Sequence, residues 1–121
     1  MRDNDWYAGN SRGYMIIHEI QQEAHEWALS KGWVDDRSFG DLLMLMVTEL
    51  AEAYEEYRDN RSYTEIYYKD GKPEGIPIEL ADVVIRILNF CGQYNIDMEE
   101  ALRIKMEYNK TRPYRHGGKR V

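Results

Sequence analysis

Residues 76–90 read IPIELADVVIRILNF, and the reading of this stretch decides the fold. Pro77 suits the first turn of a helix, which the pattern carries to about Tyr94. That helix is apolar around most of its circumference. Only Glu79, Asp82, Arg86, Asn89 and Gln93 interrupt it, along one narrow stripe. A helix this apolar must be enclosed on nearly all sides. One small chain has little left to enclose it with, so a homo-oligomer that completes the core is expected.

The flanking sequence is also helical. A first helix runs to about Ser30, with Asn10 or Ser11 as its cap, Gly32 as its stop and Ile16, Ile17, Ile20, Ala24, Trp27 and Ala28 in helical period. Ser38 caps a second helix over Phe39 to Asp59. Residues 60–75, NRSYTEIYYKDGKPEG, break the pattern with Asp70-Gly71 and Pro73 to Gly75 turn signals, and Ile66 to Tyr68 suit a short extended piece. Asp97, with Glu100 three residues on, opens a last helix that ends by Thr111, ahead of Arg112-Pro113. The expected fold is therefore all-α, a four-helix bundle-like arrangement completed by oligomerisation. Residues 1–121 form one domain, with 1–11 as an N-terminal arm and 112–121 as a basic C-terminal tail.

Composition excludes some functions. No apolar run approaches the roughly 18 residues of a membrane span, and MRDNDWYAGNSRGY at the start has no secretory core. The one cysteine, Cys91, has no internal partner for a disulfide, so a reducing, cytoplasmic setting is expected. The net charge of −6 divides unevenly: residues 1–102 carry 21 acids and 9 bases, while residues 103–121 carry seven bases against Glu107. A basic end can bind nucleic acid. An acidic body repels it, yet can hold a metal while the bases hold a phosphate.

The stretch ELAD at 79–82 repeats the form of ELAE at 49–52. At 100° per residue Glu79 and Asp82 share one helix face, as do Glu49, Glu52 and Glu56 on the second helix. Solvated stripes are one explanation, and Arg86 stands four residues after Asp82, where it can pair with it. The second helix resists that explanation, because Glu52/Glu56 and Glu55/Asp59 are like-charge pairs one turn apart. Two acidic stripes meeting across a helix pair suit a hard, oxygen-loving cation such as Mg²⁺ or Mn²⁺. No Glu-x-x-His occurs, which argues against a di-iron bundle, and His18 and His25 read as ordinary residues of an amphipathic helix. On the last helix Lys105, Asn109 and Arg112 share a face. They either hold phosphate oxygens or complement the dipole of their own helix end.

Taken together, these residues resemble the MazG-like nucleoside triphosphate pyrophosphohydrolases of the all-α NTP pyrophosphatase superfamily. The likeness rests on Glu49/Glu52, on Glu79/Asp82, on GKPEGIPIELADVVIRIL and on KMEYNKTRPYRHGGK, and covers about residues 38–119. The resemblance implies hydrolysis of an NTP or dNTP between the α- and β-phosphates to a monophosphate and pyrophosphate. It implies Glu49, Glu52, Glu79 and Asp82 as ligands of Mg²⁺, with Mn²⁺ as a substitute, and Glu52 as the general base. It implies Lys105 and Asn109 as phosphate contacts, with Arg112 and Arg115 beside them, and a homodimer or dimer of dimers. Many relatives open the first motif with a Glu-Glu pair where this chain has Thr48 before Glu49. That threonine could bond to a metal-bound water. Trp33 and Tyr54 could stack on a base, although core packing is the better reading of both. The alternative function is a non-catalytic helical module that binds nucleic acid or another partner through its basic C-terminal tail.

Overall fold

The computed structural model describes residues 16–32 and 36–114. In chain order it contains α1 (Ile17–Ser30), α2 (Phe39–Arg58), β1 (Tyr67–Lys69), β2 (Lys72–Glu74), α3 (Ile76–Gln93) and α4 (Met98–Lys110). The expected all-α class therefore holds for the helices, with one small addition. The extended piece expected near Ile66 is the first strand of an antiparallel hairpin, pairing Tyr67 with Glu74 and Lys69 with Lys72. Asp70 and Gly71 turn the hairpin at φ of 53° and 80°. A two-residue turn with both φ values positive matches the twist of the strands it joins, and Asp-Gly is suited to it. Pro73 is tolerated because a two-stranded sheet consists only of edges.

The helix ends follow local chemistry. Ser38 Oγ accepts from Asp41 N at 3.1 Å, and Asp97 Oδ1 accepts from Glu100 N at 3.0 Å, so both expected caps form. The Glu100 side chain does not complete a reciprocal box, because it pairs with Arg103. Gly32, at φ 72°, follows the end of α1 as expected. Asn10 and Ser11 lie outside the described residues. The start of α1 receives a cap from elsewhere: His18 N donates to Glu99 Oε1 of α4 at 2.8 Å. A carboxylate there satisfies an orphan N–H and complements the positive helix end. Gln21 binds the turn before α4, donating to the Ile96 carbonyl at 2.8 Å.

α3 is the centre of the molecule. It packs against α2 on one side and α1 on the other, while α4 packs against α1. Phe39 at the start of α2 meets Phe90 and Tyr94 at the end of α3, with ring centroids 4.9 and 5.0 Å apart, so α2 and α3 run antiparallel. On the other side, His25 Nδ1 lies 3.1 Å from Asn89 Oδ1, and Gly92 leaves room for the His25 ring. His25 is thus part of the α1–α3 packing. The four helices pack in the order α2–α3–α1–α4. Within the chain the core is small: among the described residues only Ala28, Leu42, Ala53, Leu88, Phe90 and Cys91 are buried hydrophobics. α4 contains no buried residue. Among the described residues, no helix is long and apolar enough to cross a membrane.

Candidate metal centre between α2 and α3

The antiparallel pairing brings the two acidic motifs opposite one another. Moving along α2 from Phe39, Glu49 and then Glu52 come level with Asp82 and Glu79 of α3. Glu52 stands beside Glu79. Burial, together with the negative charge of Glu52, Asp82 and Glu74, pushes the Glu79 carboxyl up to about 7. Asp82 is also raised, first by burial and then by Glu49, while Lys72 and Arg86 oppose the rise. Carboxylates that raise one another's pKa share a site at which not all of them stay ionised.

Arg86 does not make the pairing the sequence suggested. Its Nη2 and Nε lie 2.8 and 3.0 Å from Glu49 Oε1, across the helix interface rather than along α3 to Asp82. Glu49 keeps 17% of its side-chain exposure and Arg86 keeps 39%. The guanidinium is long enough to reach the neighbouring helix, where the less exposed acid stands. Among the described residues, no group of three or more His, Cys, Asp or Glu side chains stands close enough to hold a metal ion. Glu49 is turned onto Arg86 and Glu52 onto Glu79. Glu49, Glu52, Glu79 and Asp82 offer carboxylate oxygen, the donor that a hard divalent cation takes, and Arg86 and Lys72 offset part of their charge.

Two further acids are explained by the hairpin. Glu56, in the sequence one more member of the α2 stripe, accepts from Tyr67 Oη at 2.8 Å. That bond raises the Tyr67 hydroxyl pKa, and the Arg61 guanidinium covers the ring at 3.7 Å. Glu56 therefore ties β1 to α2. Glu74, at the end of β2, is the acid that sequence reasoning missed. It adds to the rise of both Glu79 and Asp82, and pairs with Lys72 at 3.6 Å. Its place in an irregular loop gave no helical spacing to read; only its nearness to Pro77 could have pointed to it.

The remaining candidates stand elsewhere. Thr48 Oγ1 donates to the Leu45 carbonyl at 2.7 Å, so its hydrogen is engaged within α2. Lys105 lies over the Tyr108 ring at 5.1 Å, and Lys105, Asn109 and Arg112 are all exposed. They belong to α4, which packs on α1, so the single chain does not seat them beside the acids through helix packing. Trp33 and Arg115 lie outside the described residues. Tyr54 is not core within the chain; it is 60% exposed. No protein-family pattern, curated protein or solved structure matches the chain.

Proposed function

We propose that this chain is a Mg²⁺-dependent nucleoside triphosphate pyrophosphohydrolase that yields a monophosphate and pyrophosphate. The reading is supported by one observation above all. Glu49 and Glu52 face Glu79 and Asp82 across the α2–α3 interface, and Glu79 is pushed up to about 7 by that neighbourhood. The choice of reaction comes from the MazG-like resemblance of the motif residues.

Glu49, Glu52, Glu79 and Asp82 would hold the cation, and Mn²⁺ would substitute. The bound cation supplies neutralisation of phosphate charge and orientation of a water. Glu52 is the proton acceptor in this reading, because the resemblance assigns it that role and it stands beside Glu79 on the face shared with Glu49. Arg86 holds Glu49 in place and would turn to a phosphate or stay, as the site fills. Lys105 and Asn109, with Arg112 and Arg115, would bind phosphate oxygens.

The test is incubation of the purified protein with each common NTP and dNTP in Mg²⁺, with products separated by ion-exchange chromatography. A monophosphate and pyrophosphate in equal amounts are expected, with Glu52→Gln losing at least 100-fold in rate, the scale of a general base. Release of inorganic phosphate alone, or no product from any nucleotide, sinks the proposal. The exposed basic end of α4, standing apart from the acids, favours one second reading: a binding module that acts through its tail. Salt-sensitive binding to DNA or RNA that is lost on deleting residues 110–121 and unchanged by Glu52→Gln would establish it instead.

A further inference from the structure

We propose that the tip of the β1–β2 hairpin is a phosphate clamp, in which Lys69 and Lys72 hold oxygens of a polyphosphate chain over the acids of α2 and α3. The inference deepens the reading given above and rests on it for the place of the cation. It names the side chains that grip the phosphates within a single chain, and its test is separable from the reaction.

The register of the hairpin puts the two lysines together. Lys69 pairs with Lys72, and Tyr67 pairs with Glu74 further from the turn. Residues directly opposite one another in an antiparallel pair project on the same side, as do residues two apart on one strand. Lys69, Lys72, Tyr67 and Glu74 therefore share one face of the hairpin, while Tyr68 and Pro73 share the other. The first face is turned to the helices. Tyr67 donates to Glu56 of α2 at 2.8 Å, and Glu74 keeps only 17% of its side-chain exposure. Tyr68, on the opposite face, is 70% exposed.

The path of the chain carries that face toward the acids. β2 packs on α3, and Gly75, at φ 122°, redirects the backbone between them. Glu79 N donates to the Gly75 carbonyl at 3.0 Å, so the first motif acid of α3 stands one turn from the base of the hairpin. The positive charge of Lys72 acts on Asp82 more strongly than that of Arg86, although Arg86 belongs to the same helix as Asp82.

The pairing of two lysines is unfavourable unless an anion lies between them. Directly opposite like charges, with Cβ atoms about 5 Å apart, oppose the pairing of their strands. Lys72 Nζ is a loose 3.6 Å from Glu74 Oε2 and its side chain is 76% exposed, while Lys69 has no ion-pair partner among the described residues. Lysines on an exposed strand also discourage pairing with other chains. That use requires them neither opposite one another nor on the face turned to the helices. The arginines nearby are already engaged. Arg86 reaches Glu49, Arg58 pairs with Glu55, and Arg61 pairs with Glu65 and covers the Tyr67 ring. A divalent cation on the acids would neutralise one side of a phosphate chain and leave the oxygens on the hairpin side to be met by donors. An ammonium group on a flexible stem, with three N–H bonds to give, suits such oxygens.

Titration calorimetry of the full chain tests the clamp. The probe is inorganic tripolyphosphate in Mg²⁺, which presents the phosphates without a base. Lys69→Met and Lys72→Met are each expected to weaken its binding about tenfold, the scale of one charge-assisted hydrogen bond, and Lys72→Arg to keep most of it. Mn²⁺ alone should bind Lys72→Met at least as tightly as wild type, because a positive charge beside Asp82 has gone; a damaged hairpin would weaken both ligands. Lys31→Met, which removes the same charge from the end of α1, should bind tripolyphosphate as wild type does. With a nucleotide that is hydrolysed, Lys72→Met should raise KM about tenfold and leave kcat unchanged. Tripolyphosphate that does not bind wild type, or binds both hairpin variants equally well, overturns the clamp even where nucleotides are hydrolysed. Weaker Mn²⁺ binding in Lys72→Met, or an equal loss in Lys31→Met, overturns it as well. Lysine-dependent binding of tripolyphosphate without hydrolysis of any nucleotide upholds the clamp and overturns the reaction instead.

Discussion

Glu79 is the residue on which the acid cluster can be tested most directly. Its carboxyl is pushed up to about 7, chiefly by burial and then by Glu52, Asp82 and Glu74. Removing its charge should relieve that repulsion. Glu79→Gln is therefore expected to stabilise the cation-free protein at pH 8, by on the order of 1 kcal/mol after solvent screening. Near pH 4.5 the gain should vanish, because the carboxyl is then protonated in the folded state. Urea unfolding at the two pH values reads the difference. Arg86→Met is expected to act in the opposite direction, costing about 1–2 kcal/mol by leaving Glu49 unpaired beside Asp82. The four acids were legible in the sequence because helical spacing puts them on shared faces. The Arg86–Glu49 pair was not, since spacing along one helix favours Asp82 and only the distance between helices reveals the alternative. Glu74 escaped for the same reason: a loop has no period.

At the scale of elements, local chemistry explains what the sequence revealed. Ser38 and Asp97 were readable as caps because a short oxygen-bearing side chain three residues before a free N–H has one good use. Asp97→Ala should cost about 1 kcal/mol, seen as a lower urea midpoint with an unchanged slope. The glycines before and within α3 are stricter. Gly75 sits at φ 122°, and a Cβ there would run into the Glu65 carbonyl oxygen. Gly75→Ala is expected to cost at least about 2 kcal/mol, combining backbone strain with displacement of the hairpin. The two-stranded hairpin was half visible. Asp70-Gly71 announced a turn, but Lys72–Glu74 contains proline and no β-branched residue, so its strand is set by pairing with Tyr67–Lys69 alone. The expectation that Tyr54 is core failed because aromatic type implies burial without naming the surface that supplies it.

Across the whole molecule, the balance of charge should appear in how stability depends on pH. Glu79 titrates near 4.5 when unfolded and at about 7 when folded, so the folded state binds more protons between those values. Stability from this group is full below about pH 4.5 and is lost as pH rises through about 7. The Asp82 shift has the same sign. Without divalent cation, the melting temperature is expected to fall as pH rises over that window. Millimolar Mg²⁺ should reverse the fall, and Glu79→Gln should abolish the reversal. A melting temperature that rises over that window, or is indifferent to Mg²⁺ at pH 8, would exclude cation binding by these carboxylates. The helices were legible from periodicity, while the order in which they pack was not. Periodicity tells which face of a helix is apolar, not which neighbour covers it.

The packing order α2–α3–α1–α4 also governs how a disturbance travels. Among the described residues each helix packs mainly on the next, so a substitution on α4 reaches the acids chiefly through α1 and then α3. Double-mutant cycles between α2 and α4 should give coupling energies near zero in a single chain, within the roughly 0.3–0.5 kcal/mol scatter of independent sites. Hydrogen exchange should show the same order. The amides of α4, with no buried side chain to hold them, should open first and alone. Those of α3, braced on both sides, should exchange only when the whole chain unfolds.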